Sequence, residues 1–93
     1  MSEVKDDPAL GRFEMASGDG TAFVEYRRAG VLIALLHTEV PEALSGQGVG
    51  SKLVRGTLDA LRAEGTKVVP RCEFVAAFVA RHPEYRHLLA DEG

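Results

Sequence analysis

The sequence predicts an α/β fold: a mixed sheet, made of an antiparallel meander plus one parallel strand, with two main helices and a short C-terminal helix. The clearest strand is the uninterrupted apolar run at residues 31–36. A helix-patterned segment follows it, and a second apolar strand comes after Gly65, an order that implies a parallel pair with a right-handed connection. Glycine-containing turn clusters of hairpin length divide the preceding residues into strands.

The first half of the chain is predicted to form three antiparallel strands, near residues 12–16, 21–27 and 31–40. The turns between them are Ser17-Gly18-Asp19-Gly20 and Ala29-Gly30. Because 31–36 is apolar throughout, we expect this strand to be covered on both faces of the sheet. Residues 1–8 are expected to form a loose tail and 90–93 to fray, so that 9–90 make up one domain.

The second half is predicted to form a helix from about Gln47 to Glu64, ended by Gly65, and then a strand at 66–70. One face of this helix carries Gly50, Leu53, Val54, Thr57, Leu58 and Leu61. A second helix at 72–81 should stop before Pro83 and bury one face, formed by Phe74, Val75, Phe78 and Val79. A short final helix from Pro83 carries Tyr85, which we expect to pack with its hydroxyl hydrogen-bonded.

Composition excludes several classes of function. The formal charge of −3 provides no basic field for nucleic acid or for anionic lipid. No apolar run approaches the roughly 20 residues that span a bilayer, and the acidic N-terminus does not resemble a signal peptide. The single cysteine excludes an internal disulfide, and we expect a cytoplasmic protein. His82 and His87 lack metal-ligand spacing, so no metal site is expected.

The segment from His37 to Ser51 runs from a strand through a glycine-rich turn into a helix, which is the layout of a phosphate cradle. The first N–H groups of a helix have no intrahelical partner, and glycines let an anion approach them. A P-loop is excluded because no Gly-Lys-Ser/Thr follows, and a dinucleotide loop is excluded because Ser51 stands where the third glycine should be. The alternative is that these glycines only form a tight turn.

The run Ser45-Gly46-Gln47-Gly48-Val49-Gly50 resembles the loop with which GNAT-superfamily N-acetyltransferases hold the pyrophosphate of acyl-CoA. That loop reads arginine or glutamine, two variable residues, glycine, one variable residue, then glycine or alanine. Ser45 replaces the first residue, which removes one side-chain contact to the pyrophosphate but leaves the backbone N–H groups. Gln47 is a candidate to compensate.

The flanking segments narrow the resemblance to small single-domain GNAT-like proteins, called YjdJ-type or N-acetyltransferase domain-containing proteins. These segments are His37-Thr38-Glu39-Val40-Pro41, Val68-Val69-Pro70-x-Cys72 and His82-Pro83-Glu84-Tyr85, and the similarity covers about 13–89. The resemblance implies that acetyl-CoA is bound by Val40, Ser45, Gly46, Gln47, Gly48, Val49, Gly50 and Ser51. It also implies that the pantetheine arm lies between splayed strands 31–40 and 66–70, bonded by backbone near Val40.

The candidate catalytic residues are Cys72, His37 and Glu39. Cys72 begins a helix directly after Arg71, and both features favour its thiolate. Family members place a cysteine here, near the acetyl-thioester, where it could serve as the acid to the departing thiolate or as an acyl acceptor. His37, beside Glu39, could take a proton from an ammonium substrate. The structural alternatives are a small buried cysteine and a core histidine.

The resemblance implies an acetyl-CoA-dependent N-acetyltransferase that transfers acetyl by direct attack to an unidentified small-molecule or protein amine. Larger relatives often use a tyrosine on the second helix as the general acid, and here the matching residue is Phe78, which has no proton to give. A non-catalytic module that binds CoA or acyl-CoA is therefore the alternative. A scaffold that binds no nucleotide is the third hypothesis.

Overall fold

The computed structural model describes residues 3–18 and 20–90, and within them five strands form one sheet in the order β1-β2-β3-β4-β5. The strands are β1 (Lys5–Asp7), β2 (Arg12–Ser17), β3 (Gly20–Ala29), β4 (Leu32–Glu39) and β5 (Lys67–Pro70). The first four strands are antiparallel neighbours, and β5 is parallel to β4. The predicted α/β fold, a meander plus one parallel strand, is therefore confirmed.

The helices are α1 (Val49–Glu64), α2 (Glu73–Arg81) and two 3₁₀ segments, Glu42–Leu44 and Pro83–Leu88. α1 begins two residues later than predicted from Gln47, because Gly46 and Gly48 have φ of 78° and 72°, in the left-handed region that a helix cannot use. Its other end is as predicted: Gly65 has φ of 81°, and its N–H donates to the carbonyls of Arg62 and Leu61.

The helices cover only one face of the sheet, so the expectation that β4 is covered on both faces is wrong. Ile33 and Leu35 are fully buried, whereas Leu32 and Leu36 are 37% and 42% exposed. We call the uncovered side, which carries Leu32, the outer face. In the described residues the helices α1 and α2 contact each other and lie on the opposite side, above Val24 and Leu35, which leaves none for the outer face.

The structure corrects the prediction of a loose tail at 1–8, because Lys5–Asp7 form β1, which pairs with β2. The Tyr26 hydroxyl donates to Asp6 Oδ1 at 2.6 Å, and Arg28 lies 3.5 Å from the same carboxylate. These contacts hold the segment as an edge strand, a pairing that its charged sequence does not indicate. Met1 and Ser2 lie outside the described residues.

At the C-terminal end, the predicted fraying does not begin at residue 90, because the Ala90 N–H donates to Val68 O at 2.8 Å. Residues 91–93 lie outside the described residues.

The predicted short C-terminal helix is present from Pro83 in 3₁₀ form, and it packs on α1. Tyr85 is 2% exposed, and its hydroxyl donates to Asp59 Oδ1 at 2.7 Å while it accepts from Arg55 Nη1 at 3.1 Å. α2 also ends before Pro83 as predicted. Among the described residues, no helix is long and apolar enough to cross a membrane.

Candidate active site

Residues 45–51, called the glycine loop here, comprise the end of the connection between β4 and α1 and the first turn of α1, and they have the geometry of an open backbone cradle. Gly46 and Gly48 have positive φ, and a Cβ built on either one meets no atom within 4 Å. The side-chain-free surface at both glycines therefore faces open space. Gly48 is also the N-cap of α1, and no side chain caps the helix, so the first N–H groups of α1 remain available to an anion.

Gly50 has a different role, because it makes room for the ring of Phe74. A Cβ at Gly50 would lie 2.7 Å from Phe74 Cζ, closer than atoms can pack. Phe74 was predicted to lie on the buried face of α2, but it is 39% exposed and lies over the first turn of α1. The contact joins the start of α2 to the glycine loop.

A groove of about 250 Å³ lies along the glycine loop, and we call it the loop groove. Its walls are Val40, Leu44, Ser45, Gly46, Gly48, Val49, Gly50, Ser51 and Phe74. Seven of the eight residues expected to bind acetyl-CoA thus line one groove. The exception is Gln47, whose Nε2 donates to the Ala43 carbonyl at 3.4 Å. The groove also has apolar lining residues beside the glycines: Val40, Leu44, Val49 and Phe74.

A second, larger cavity of about 410 Å³ lies between β2 and α1. Lys52, Arg55 and Asp59 line it together with Glu3, Val4, Met15 and Gly56, so no residue of the glycine loop takes part. By volume alone, this cavity would be the favoured candidate for a ligand-binding site. We place the candidate site at the smaller groove because only there do backbone donors and left-handed glycines meet an apolar wall.

Beyond the loop groove, β4 and β5 separate. Their parallel ladder ends at the pair Leu35–Pro70, although β4 continues to Glu39. The Cys72 N–H donates to the Leu35 carbonyl at 2.9 Å, which brings the start of α2 to the point of separation. We call this point the fork. On the β5 side of β4, residues 36–39 have no strand partner among the described residues, so a β-like ligand could pair with this edge.

An irregularity in β4 decides which side chains face the fork from the helix side. Glu25 pairs with His37 and Tyr26 with Leu35, so Leu36 is an extra residue in the ladder. Past this bulge, Thr38 pairs with the buried Val24. Thr38 therefore lies on the same face of the sheet as the helices, and its neighbours in sequence lie on the outer face.

The candidate base residues His37 and Glu39 lie together on the outer face. His37 Nε2 is 3.3 Å from Glu39 Oε1, and the two side chains are 55% and 58% exposed. In a regular strand His37 would share a face with Leu35, but the bulge reverses the alternation, and His37 pairs with Glu25 on the outer face. The structure does not bring this pair into contact with Cys72, which lies on the helix side of β4.

Cys72 is partly buried at the fork as the N-cap residue of α2. Its Sγ lies 3.3 Å from Thr38 Oγ1. Burial raises the pKa of the thiol, but the Thr38 hydroxyl and the backbone N–H groups of Val75, Phe74 and Thr38 together outweigh it, so the net pKa is lowered.

Sequence reasoning missed two residues of this site, Thr38 and Phe74. Thr38 stands between two predicted catalytic residues, but strict alternation would have placed it on the opposite face from Leu35. Only the bulge at Leu36 brings it to Cys72. Phe74 was predicted to lie on the buried face of α2, and its contact with Gly50 places it at the glycine loop instead. In the described residues no group of three His, Cys, Asp or Glu side chains could hold a metal ion.

Comparisons with known proteins bear on the family and the fold of the chain. The chain is 32% identical over 57 residues to Protein NATD1 of Bos taurus and of Homo sapiens, a match that covers 61% of this chain and 50% of each of those proteins. It thus spans about half the length of these relatives. Its fold matches the solution structure of a GCN5-like protein from Staphylococcus aureus with a TM-score of 0.71, at 24% identity, covering 100% of this chain and 94% of that one.

The family described as GCN5-related N-acetyl-transferase matches residues 12–88, a range that contains the glycine loop, the fork and Cys72. This range covers most of the sheet and both long helices. The chain therefore belongs to the GCN5-related N-acetyltransferase family.

Proposed function

We propose that this protein is an acetyl-CoA-dependent N-acetyltransferase that acetylates an amine. The observation that carries the proposal is that the loop groove and the fork share neighbouring segments: the groove is lined by Val40, which directly follows β4, and by Phe74, two residues after Cys72. A pyrophosphate and a pantetheine arm need, in that order, backbone donors, an apolar wall and a strand edge. The residues present fit this group because the space a Cβ would occupy at Gly46 and Gly48 is empty.

The residues of the chain have distinct roles in this proposal. The backbone N–H groups of the glycine loop hold the pyrophosphate, and the free edge of β4 up to Val40 orients the arm. When bound, acetyl-CoA supplies an acetyl group activated as a thioester, whose transfer to an amine forms an amide and releases the CoA thiol. Backbone N–H near Val40 polarises the carbonyl of the group to be transferred.

Proton movement completes the proposed mechanism. The amine gives up one proton, for which His37 Nε2 or Glu39 is the acceptor, and the departing sulfur gains one from Cys72 Sγ. His37 and Glu39 lie on the outer face and Cys72 on the helix side, so the two proton transfers use opposite faces of β4. The acceptor is a small-molecule amine or an amine of a protein.

A non-catalytic module that binds CoA or acyl-CoA is the second candidate. It is favoured by Phe78, which is 1% exposed, stacks on His82 at 4.0 Å, and carries no acidic hydroxyl. Tyr85 does not replace it, because its hydroxyl already hydrogen-bonds with Asp59 and Arg55. Burial raises the pKa of the Tyr85 hydroxyl, and the hydrogen bond to Asp59 raises it further. Under this hypothesis the site binds CoA but does not consume the thioester.

The deciding experiment measures thioester consumption with a panel of polyamines and lysine peptides, in wild type, Cys72→Ala and Cys72→Ser. Calorimetry with CoA is carried out on the same samples. An enzyme shows acceptor-dependent consumption that both Cys72 variants lose while they still bind CoA. Binding without consumption on any amine supports the second candidate. An absence of CoA binding in folded wild type overturns both and leaves the glycine loop as a structural turn.

A further inference from the structure

We propose that Thr38 is a positioning residue for Cys72, brought to the thiol by the bulge in β4; the proposal rests on the acetyl transfer described above. Thr38 Oγ1 and Cys72 Sγ are 3.3 Å apart across the fork. The backbone on both sides of this contact is fixed. The Cys72 N–H donates to Leu35 O at 2.9 Å, and Thr38 is held in the ladder opposite Val24.

The bulge at Leu36 explains why Thr38, and not His37, meets the cysteine. In a regular strand, side chains alternate, so a residue two positions after Leu35 would share its face. That residue is His37. The extra residue reverses the alternation, sends His37 to the outer face and turns Thr38 toward α2. A hydroxyl therefore stands where a regular strand would put an imidazole.

The contact has a defined role in the proposed transfer. When Cys72 gives its proton to the departing sulfur, the S–H bond at Sγ breaks, a new S–H bond forms on that sulfur, and the negative charge passes to Sγ. The Thr38 hydroxyl can then donate its hydrogen to the Cys72 thiolate, and hydrogen bonds to charged groups are stronger than those to neutral ones. Thr38 thus stabilises the state in which Cys72 has lost its proton and fixes the rotamer in which it does so.

Other charged groups near the thiol do not account for this effect. Arg71 and Glu73 flank Cys72 in the chain with opposite charges, and on β4 the side chains of His37 and Glu39 lie on the outer face. The contributions that lower the thiol pKa are uncharged: the Thr38 hydroxyl and backbone N–H groups. The hydroxyl is the one that a substitution can remove without altering the backbone.

The test is the rate at which iodoacetamide alkylates Cys72 as a function of pH, in Thr38→Val, Thr38→Ser and wild type. We expect Thr38→Val to react roughly tenfold more slowly near neutral pH, as one unit of pKa would cause, with its midpoint at higher pH. Thr38→Ser should restore both rate and midpoint. Thr57→Val is the matched control, because the Thr57 hydroxyl is fully buried and has no partner among the described residues; it should alkylate like wild type.

An unchanged midpoint in folded Thr38→Val would overturn the proposal, and a slower rate at that unchanged midpoint would mean altered access alone. If Thr38→Val does not fold, Thr38→Ala compared with Thr38→Ser gives the same answer. Alkylation requires neither acetyl-CoA nor an acceptor. Failure of CoA to bind in calorimetry therefore removes the proposed function without affecting this measurement, and the two failures are distinguishable.

Discussion

Substitution of Gly48 tests the glycine loop most directly, because the same backbone strain can be introduced elsewhere in the chain. Gly48 has φ of 72°, and the space beside it is open. An L-residue in the left-handed region costs about 1–2 kcal/mol, so Gly48→Glu should lower the free energy of unfolding by about that amount. The added carboxylate would also stand where the structure leaves room for phosphates.

The expected loss of affinity follows from the charge. Two like unit charges about 6 Å apart repel by about 3 kcal/mol at an effective dielectric constant near 20, and salt reduces this value. A tenfold weakening of CoA binding corresponds to only about 1.4 kcal/mol, so we expect at least that much in Gly48→Glu. Gly48→Gln introduces the same strain without the charge and should lose less affinity.

Gly30→Glu is the matched control. Gly30 has φ of 60°, it also has no atom within 4 Å of a built Cβ, and it lies in the β3–β4 turn and does not line the loop groove. We expect it to lose similar stability in urea unfolding while its calorimetric affinity for CoA stays that of wild type. Equal CoA affinity in folded Gly48→Glu and wild type would refute the placement of phosphates at the glycine loop, and equal losses in both glutamate variants would show that the effect is only strain.

Three further predictions concern groups outside the loop. His37→Gln should keep CoA affinity and lose acceptor-dependent turnover, measured by thiol release, because an amide cannot accept the proton; unchanged turnover would leave Glu39 or water as the base. The Glu64 pKa is lowered chiefly by its hydrogen bond with Arg28, so its contribution to stability is present above about pH 4 and is lost as pH falls further. The free energy of unfolding should therefore fall less in Glu64→Gln than in wild type between neutral pH and about pH 3. Parallel plots of this free energy against pH for the two proteins would contradict the prediction. Tyr85→Phe should lower the free energy of unfolding by about 1 kcal/mol, because Asp59 loses this donor and keeps that of Arg62, with CoA affinity unchanged.

The sequence determined those parts of the fold that depend on local chemistry. The helical spacing of Leu53, Val54, Leu58 and Leu61 fixed the buried face of α1, and all four side chains are fully buried. Gly65 ended the helix because glycine alone adopts the left-handed conformation without cost. The glycine loop was recognisable for the same reason, since phosphate approach depends on missing side chains and backbone N–H groups.

Other features required contacts between distant parts of the chain. β1 pairs with β2, and Tyr26 and Arg28 contact Asp6 across the sheet, whereas its sequence alone reads as a polar tail. The apolar run of β4 looked buried on both faces, but the described helices cover only one of them. The apolar side chains show which residues can be buried, whereas the number and placement of the helices decide which of them are buried.

The site shows the same division between sequence and tertiary structure. The sequence, together with the family that it resembles, identified the glycine loop, Cys72, His37 and Glu39 as candidates, because backbone donors, a thiol, an imidazole and a carboxylate each have a specific chemical capacity. The tertiary structure alone decided that Thr38 meets Cys72 while His37 lies on the outer face. The physical reason is the one-residue bulge at Leu36, because an extra residue in one strand reverses the alternation of every side chain that follows it.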